Sequence, residues 1–531
     1  MDSNMMNALY EDYEKNGWWD KKTHSDRLHE QVLIRGDKTA IVDMYGSITF
    51  AQLEKNSDRL AAYFLSSGIR KGDRIVLQHI NIISFAVICF AIFRIGAIPV
   101  LAMPAHRETE VSAIIENSGA VGYITVRSYH GFDYTALVEK MLAKHSSVRH
   151  FWYADEIEAL DLNEYDLRGM KFDKPTSRDC AMFVLSGGST GIPKLIPRIH
   201  ASFLHEQDCC AKAFGVDSEK KVLIAMPLTH VWNLCGPGLL GSILNGATAV
   251  LAYHGSADEI LSLVNDHKIT HVGLVPSLIM ACIQIIELVG GYDLSSLCSI
   301  QIGGSMSTRQ LMESAFSIFG CTIQQAYGMS EGLVCGTSPD DDIDTLLTAH
   351  GRPVSEGDNI VILDENDKPL PVGEVGQIAA RGSCVFTGYY NNKAANERSF
   401  THDGFYKTGD KGRIIPENGC LQVMGRTQEQ INRLGEKIMP SELEDLLVNC
   451  QWIDEAYVVP ARDELLIQRI CVFAKVNDKS ADLKRLREYL RSCSVADFKL
   501  PDQFEIVDTF PYTAVGKVDK KALTAIAEQR K

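Results

Sequence analysis

The chain has 531 residues, too many for one small core, so two or more domains are expected. Hydrophobic residues make up 45% and charged residues 23%, the balance of an ordinary globular enzyme rather than of a disordered or fibrous chain. A formal net charge of −15 leaves no basic surplus to displace counterions, which excludes a general nucleic-acid binder and argues against an anionic membrane surface.

Residues 1–19 are mixed and charged, with no apolar signal core, and a cytoplasmic location follows as the expectation. Helical spacing over 48–66 puts Leu53, Leu60, Ala61 and Phe64 on one face. A turn at 70–74 then leads into a strand at 75–77. The longest apolar run, 82–93, is broken by Arg94, Gly96 and Pro99. It is too short for a membrane span and reads as a buried helix feeding a strand at 98–103. From there strands at 122–126, 222–226, 249–252, 271–275 and 299–302 alternate with helices, among them 134–142, 257–266, 278–288 and 309–319. Such alternation predicts βαβ units and largely parallel sheets covered by helices.

Beyond about residue 350 the sequence turns strand-rich, punctuated by Pro369, Pro371, Gly373 and Asn418-Gly419. The last hundred or so residues read as a compact α+β pattern: strands at 455–459, 469–476 and 503–507, a helix at 483–491 and a final helix from Lys520. The fold class is therefore α/β. A large N-terminal domain of helix-covered, largely parallel sheets plus a β-rich subdomain spans 1–425, and a small α+β C-terminal domain spans 426–531. Fourteen cysteines are scattered, several of them inside apolar runs, with no C-x-x-C pair and no H-E-x-x-H. Reduced core thiols explain them better than a metal site does, and Cys209-Cys210 read as helix-face residues.

One loop draws the functional reading together. The apolar strand 181–185 runs into Ser186-Gly187-Gly188-Ser189-Thr190-Gly191, with Lys194 close behind. Three glycines crowd backbone amides, hydroxyls add donors and the lysine adds a cation, a combination suited to nucleotide phosphates. It is not a Walker loop. Gly236, Gly238 and Gly241 fit G-x-G-x-x-G, but Pro237 lies inside the match and no opening βαβ unit surrounds it, so the match is coincidental.

Further motifs follow in order: Tyr327-Gly328-Met329-Ser330-Glu331, Tyr406-Lys407-Thr408-Gly409-Asp410, Gly425-Arg426, Leu434-Gly435-Glu436-Lys437 and Val515-Gly516-Lys517. Together with the loop they resemble the adenylate-forming superfamily of acyl-CoA synthetases, luciferases and peptide-synthetase adenylation domains, over nearly the whole chain. Stretches 93–100, 131–134, 195–198 and 430–437 resemble one branch, the free-standing aryl acid–AMP ligases of the 2,3-dihydroxybenzoate and salicylate type. The resemblance implies a two-step ligase. ATP and an aromatic carboxylic acid give an aryl-adenylate and pyrophosphate, and the aryl group then passes to the phosphopantetheine thiol of a separate aryl carrier protein. Coenzyme A as acceptor, and a non-catalytic adenylate-binding protein, are the alternatives.

By the same resemblance, Ser186 to Gly191 and Lys194 hold the phosphates, and Glu331 is a ligand for Mg²⁺. Tyr327 faces adenine beside Gly303 and Gly304, and Gln325, Gly328, Met329 and Ser330 complete the nucleotide site. Asp410 and Arg426 hold the ribose. Lys517 is the catalytic lysine, delivered by a mobile C-terminal domain that turns about Gln428, and Gly435 faces the incoming thiol. The acid pocket is expected to include His230, which is also a catalytic candidate, with Val231, Trp232, Cys235, Gly236, Gly304, Met329, Ser330 and Val334. In the resembling ligases an Asn usually follows the His, and a Ser or Cys stands where this chain has Gly236. Val231 and Gly236 remove polar partners for ring hydroxyls, and Gly236 is expected to leave more room. Trp232 and Val334 are expected to add apolar wall and Cys235 a soft, weakly polar contact.

Overall fold

Parallel strands alternate with helices through most of the computed structural model, which describes residues 3–186, 194–304, 307, 309–426, 431–438, 440–447, 449–478, 480–511 and 518–530. Two compact units emerge. The first comprises Met1–Pro104, Ile114–Ser186 and Leu195–Gly425, and the second is made chiefly of Arg426–Lys531.

Among the described residues the first unit carries a nine-stranded sheet. Its order runs Arg352–Pro353, Val334–Gly336, Thr322–Gly328, Ser299–Gly303, His271–Leu274, Lys221–Ile224, Thr248–Leu251, Thr39–Asp43, Gly46–Thr49. The strands from Thr322–Gly328 through Thr39–Asp43 pair parallel, and antiparallel partners close both edges. A six-stranded sheet is ordered Lys194–Ile199, Cys180–Ser186, Ile98–Ala102, Arg74–Gln78, Gly122–Thr125, His150–Tyr153. The β-rich stretch beyond residue 350 forms a four-stranded antiparallel sheet of Asp358–Leu363, Gly376–Gly382, Tyr406–Ile414 and Leu421–Arg426.

Local chemistry explains where the elements begin. The Thr49 hydroxyl accepts from the Gln52 amide while the Gln52 side chain accepts from the Thr49 amide. This capping box starts the helix at Phe50–Ser66 rather than at 48, and leaves Gly46–Thr49 free to pair as a strand. The helix buries Leu53, Leu60, Ala61 and Phe64 as its spacing predicts. The apolar run becomes the helix Ile83–Arg94, with Phe85, Phe90 and Phe93 in the core. Among the described residues no helix is long and apolar enough to cross a membrane. Between the strand Gly122–Thr125 and the helix Thr135–Lys144, a two-stranded hairpin, Ser128–Tyr129 with Phe132–Asp133, was not foreseen; each of its strands is only two residues long, too short for periodicity to register.

The second unit has its own sheet. Ile453–Asp463 and Ile467–Val476 form a long antiparallel pair, and Gln503–Ile506 adds in parallel. The helix Leu483–Ser492 buries Leu486 and Leu490, and Lys520–Gln529 buries Leu523 and Ala527. Every described cysteine is free, with Cys209 and Cys210 on the helix His200–Ala213.

Candidate functional site

Four neighbouring parallel strands of the large sheet, Thr322–Gly328, Ser299–Gly303, His271–Leu274 and Lys221–Ile224, end along one edge. The carboxyl edge of an open α/β sheet is where ligands bind, because the loops leave the strands there. Residues 225–236, Gly304 and the turn 328–332 all leave from that edge.

The indole of Trp232 lies over these strand ends in a slot made of glycines. A Cβ at Gly273 would stand 3.1 Å from its Cζ2, and one at Gly303 would stand 3.3 Å from its Cη2. A Cβ at Gly304 would stand 3.8 Å from Cζ3, and one at Gly236 only 2.8 Å from Cδ1. The ring Nε1–H donates to the Gly236 carbonyl at 3.0 Å, which fixes the ring's roll. The space that a glycine at 236 was expected to leave is thus taken by the neighbouring indole. Beneath the ring lies a cavity of about 20 Å³ lined by Leu223, Trp232, Gly236, Gly273 and Gln301. It is large enough for about one water, and the Gln301 Oε1 atom is buried without a protein partner.

Cys235 ends the four-residue helix Trp232–Cys235. Its thiol donates to Glu206 Oε1 at 2.9 Å and approaches the Val231 carbonyl at 3.3 Å, so it is engaged in a buried network rather than offered as a soft contact to an acid. Burial, followed by the carboxylate of Glu206, pushes this thiol up from its ordinary range. Val231 is buried and His230 exposed, and the His230 amide donates to the Pro227 carbonyl at 3.0 Å.

The strand Thr322–Gly328 carries the polar half. The Tyr327 hydroxyl donates to Asp410 Oδ2 at 2.8 Å, joining the large sheet to the four-stranded one. Burial and then the Asp410 carboxylate raise that phenol well above its usual range. Four residues on, Glu331 is 6% exposed and accepts from the Tyr389 hydroxyl at 2.7 Å, while Tyr389 and Tyr406 share a hydrogen bond at 3.1 Å. Ser186 is the last residue of its strand. Among the described residues no lysine, arginine or histidine forms an ion pair with Glu331. A buried carboxylate with hydroxyl partners and no basic one suits a hard cation as its counter-charge.

The turn brings Gly328, Met329, Ser330 and Val334 together, with Gly328 paired to Val334 and the Met329 amide donating to the Leu333 carbonyl at 3.1 Å. Gln325 is turned away. Its side-chain amide donates to the Leu346 carbonyl at 3.1 Å, so it braces the strand. Lys194 opens the strand Lys194–Ile199, and Arg426 closes Leu421–Arg426. In the second unit Gly435 has φ +90° and its amide donates to Asn432 Oδ1 at 3.1 Å, a turn that glycine accommodates without strain. Gly187, Gly188, Ser189, Thr190, Gly191, Gln428 and Lys517 lie outside the described residues.

Sequence reasoning missed Tyr389, Arg198 and Glu206. Tyr389 sits in a Gly-Tyr-Tyr step with no spacing signal toward Glu331. Arg198 and Glu206 are an ordinary charged pair in sequence, and only their burial at 1% and 0% exposure sets them apart.

A parallel sheet whose carboxyl edge carries a tyrosine–aspartate pair, a buried carboxylate and an aromatic slot is the build of a nucleotide-using α/β enzyme. The chain belongs to the AMP-binding enzyme family: the model of that family matches residues 28–390, and the AMP-binding enzyme C-terminal domain matches 442–517. It is 37% identical to the 2,3-dihydroxybenzoate-AMP ligase of Bacillus subtilis, over 98% of this chain and 97% of that protein. It is equally 37% identical to triostin synthetase I of Streptomyces triostinicus, over 98% and 97%. Among solved structures, apo MbtA of Mycobacterium smegmatis superposes with a TM-score of 0.73 at 32% identity, covering 98% of this chain and 97% of that one. The chain is an ATP-dependent acid–AMP ligase.

Proposed function

We propose that this enzyme adenylates a compact, single-ring aryl or heteroaryl acid lacking a 2,3-diol and passes it to the phosphopantetheine thiol of an aryl carrier protein. The observation that carries the reading is the Trp232 indole seated among four glycines, one of which, Gly303, pairs with Ala326 next to Tyr327. The Bacillus subtilis relative is named for 2,3-dihydroxybenzoate, which supports an aryl acid as the substrate class; the exclusion of the diol rests on the pocket alone. With Val231 and Gly236 in place of polar side chains, ring hydroxyls lose partners, and an unpaired buried hydroxyl costs about 1–3 kcal/mol, enough to disfavour the diol by roughly 10- to 100-fold. The indole closes the deep end, which favours a short ring.

In this reading Tyr327 offers its face to adenine. Asp410 holds the Tyr327 hydroxyl and, having lone pairs for several donors, also accepts from the ribose with Arg426 beside it. The 186–191 loop and Lys194 bind the phosphates. Glu331 would hold Mg²⁺, which when bound neutralises phosphate charge. Lys517, carried on the 426–531 domain and turning about Gln428, stabilises the charge that develops between carboxylate and α-phosphate, and His230 orients the carboxylate. Gly435 keeps its loop open for the thiol.

ATP–pyrophosphate exchange over benzoate, salicylate, 2,3-dihydroxybenzoate, aminobenzoates, hydroxypicolinate, quinoline-2-carboxylate, amino acids and fatty acids tests this. Fastest exchange with a single-ring acid lacking the diol supports it. Fastest exchange with 2,3-dihydroxybenzoate overturns the pocket argument, and exchange confined to amino or fatty acids overturns the aryl assignment. Thioester formation compared between a holo aryl carrier protein and coenzyme A decides the acceptor.

A further inference from the structure

Deep in the first unit, one carboxylate joins the two halves of the site. Glu206, on the helix His200–Ala213, has no exposed surface. Its Oε2 pairs with Arg198 Nη2, and its Oε1 accepts from the Cys235 thiol at 2.9 Å. Arg198 then reaches two backbone carbonyls: Nη1 donates to Ser330 at 3.1 Å and Nη2 to Cys384 at 3.0 Å. The guanidinium also stacks on Phe203, 4.9 Å from the ring centroid.

Those two carbonyls frame Glu331. Ser330 precedes it, and the Phe386 amide, two residues after Cys384, donates to the Glu331 carbonyl at 2.7 Å. Gly332 has φ +110°, and a Cβ there would come within 2.0 Å of the Cys384 carbonyl and 3.1 Å of Arg198 Nη1. The turn is therefore pressed onto the guanidinium with no slack. At the other end, Cys235 terminates the helix that begins with Trp232 and also holds the Val231 carbonyl at 3.3 Å. A buried ion pair is a poor source of stability, since desolvation offsets most of its attraction. A fully buried pair with partners on both sides is better explained by what it aligns.

From this continuous path we infer that Arg198, Glu206 and Cys235 are positioning residues that set the acid-site helix against the Ser330–Glu331 turn, so that acid and nucleotide are bound in mutual register. None of the three touches the reacting atoms in this account; each acts through Trp232 or Glu331. The inference rests on the assignment of 230–236 to the acid and of Glu331 to the nucleotide.

The test compares Cys235→Ala, Cys235→Ser and Arg198→Lys. The acid is whichever member of the panel above the unaltered enzyme exchanges fastest, so the outcome does not depend on that acid being aromatic. Cys235→Ala removes the donor to Glu206 and is expected to raise the KM for the acid about five- to twentyfold, with a smaller change in kcat. Cys235→Ser restores an O–H donor and should recover most of that loss. Arg198→Lys cannot fork to two carbonyls and is expected to raise the KM for MgATP about tenfold. In the double variant Cys235→Ala/Arg198→Lys the changes in acid KM should be less than multiplicative, because both cut one path. Alanine and serine variants with the same acid KM, equal to each other or to the unaltered enzyme, overturn the inference, as do strictly multiplicative effects. Should Arg198→Lys fail to fold, the Cys235 pair alone decides, since thermal unfolding of those two variants reports any merely structural loss separately from the KM.

Discussion

Replacing Gly236 by serine tests the glycine slot most directly. The added Cβ would meet Trp232 Cδ1 at 2.8 Å, roughly 0.6 Å inside ordinary contact, which begins near 3.4 Å. The indole has little room to retreat, because Gly273 and Gly303 lie so near its far edge that a Cβ there would stand 3.1 and 3.3 Å away, and the cavity beneath the ring holds only about 20 Å³. It must tilt, losing its hydrogen bond to the Gly236 carbonyl, or the loop must move. Overpacking of this kind costs about 1–3 kcal/mol. If that cost falls on acid binding, each 1.4 kcal/mol is about tenfold in KM. Gly236→Ser alone should therefore unfold at lower temperature and bind the acid more weakly. Trp232→Phe in the same background shortens the ring and should recover much of both losses, with a coupling energy of about 1 kcal/mol or more from the double-mutant cycle. The assay is calorimetric unfolding together with pyrophosphate exchange on the preferred acid. A Gly236→Ser enzyme as stable and active as the parent, or effects that add within about 0.5 kcal/mol, would falsify the slot as the determinant of pocket depth.

Two more outcomes are expected. Tyr389→Phe deletes the donor 2.7 Å from Glu331 Oε1; a bond to a charged acceptor is worth about 1.5–3 kcal/mol, so the KM for MgATP should rise about tenfold or more, and a change under twofold would remove Tyr389 from the site. Burial holds His79, His200 and His350 at about 4, and lowers His24 as well. The unfolded chain binds protons at these imidazoles below its ordinary value of about 6.5 while the folded one does not, so stability should fall as the pH drops from about 6.5 toward 4. Asp358, raised to about 6 by burial, opposes this with one proton over the same range. Urea unfolding midpoints at pH 7, 6 and 5 check the sum, and a midpoint that is flat or rises on acidification refutes it.

The alternation of apolar runs and amphipathic segments made the α/β architecture readable, because buried parallel strands are continuous apolar runs and covering helices repeat at 3.6 residues. The strand Ser299–Gly303 and the helix Arg309–Phe319 fall where that pattern puts them. Boundaries set by a side-chain cap were less legible: Thr49 falls inside the run whose spacing reads as helical and acts as its cap. At the site, motif residues such as Tyr327 and Asp410 were found because each has a chemical reason to be where it is. Trp232 was read as wall, but its seat depends on glycines drawn from positions 236, 273, 303 and 304, which only the sheet brings together. Gln325 shows the converse: a polar residue in a motif-rich strand whose amide is used to hold Leu346. Arg198 and Glu206 lie eight residues apart across a strand-to-helix corner, a separation that periodic reading does not pair.

The slot also imposes an order on how this pocket can change by single substitutions. Its walls are bare backbone, so a smaller ring at 232 requires no accompanying change, and space for a longer acid is one step away. The reverse path is blocked at the first step: a side chain at 236 or 273 crowds the indole unless residue 232 has already shrunk, and one at 303 meets the Ala326 carbonyl at 2.6 Å whatever stands at 232. Lineages leaving this arrangement should lose the tryptophan before they gain polar groups to grip a substituted ring, and the history of such pockets should run in that direction more often than the other.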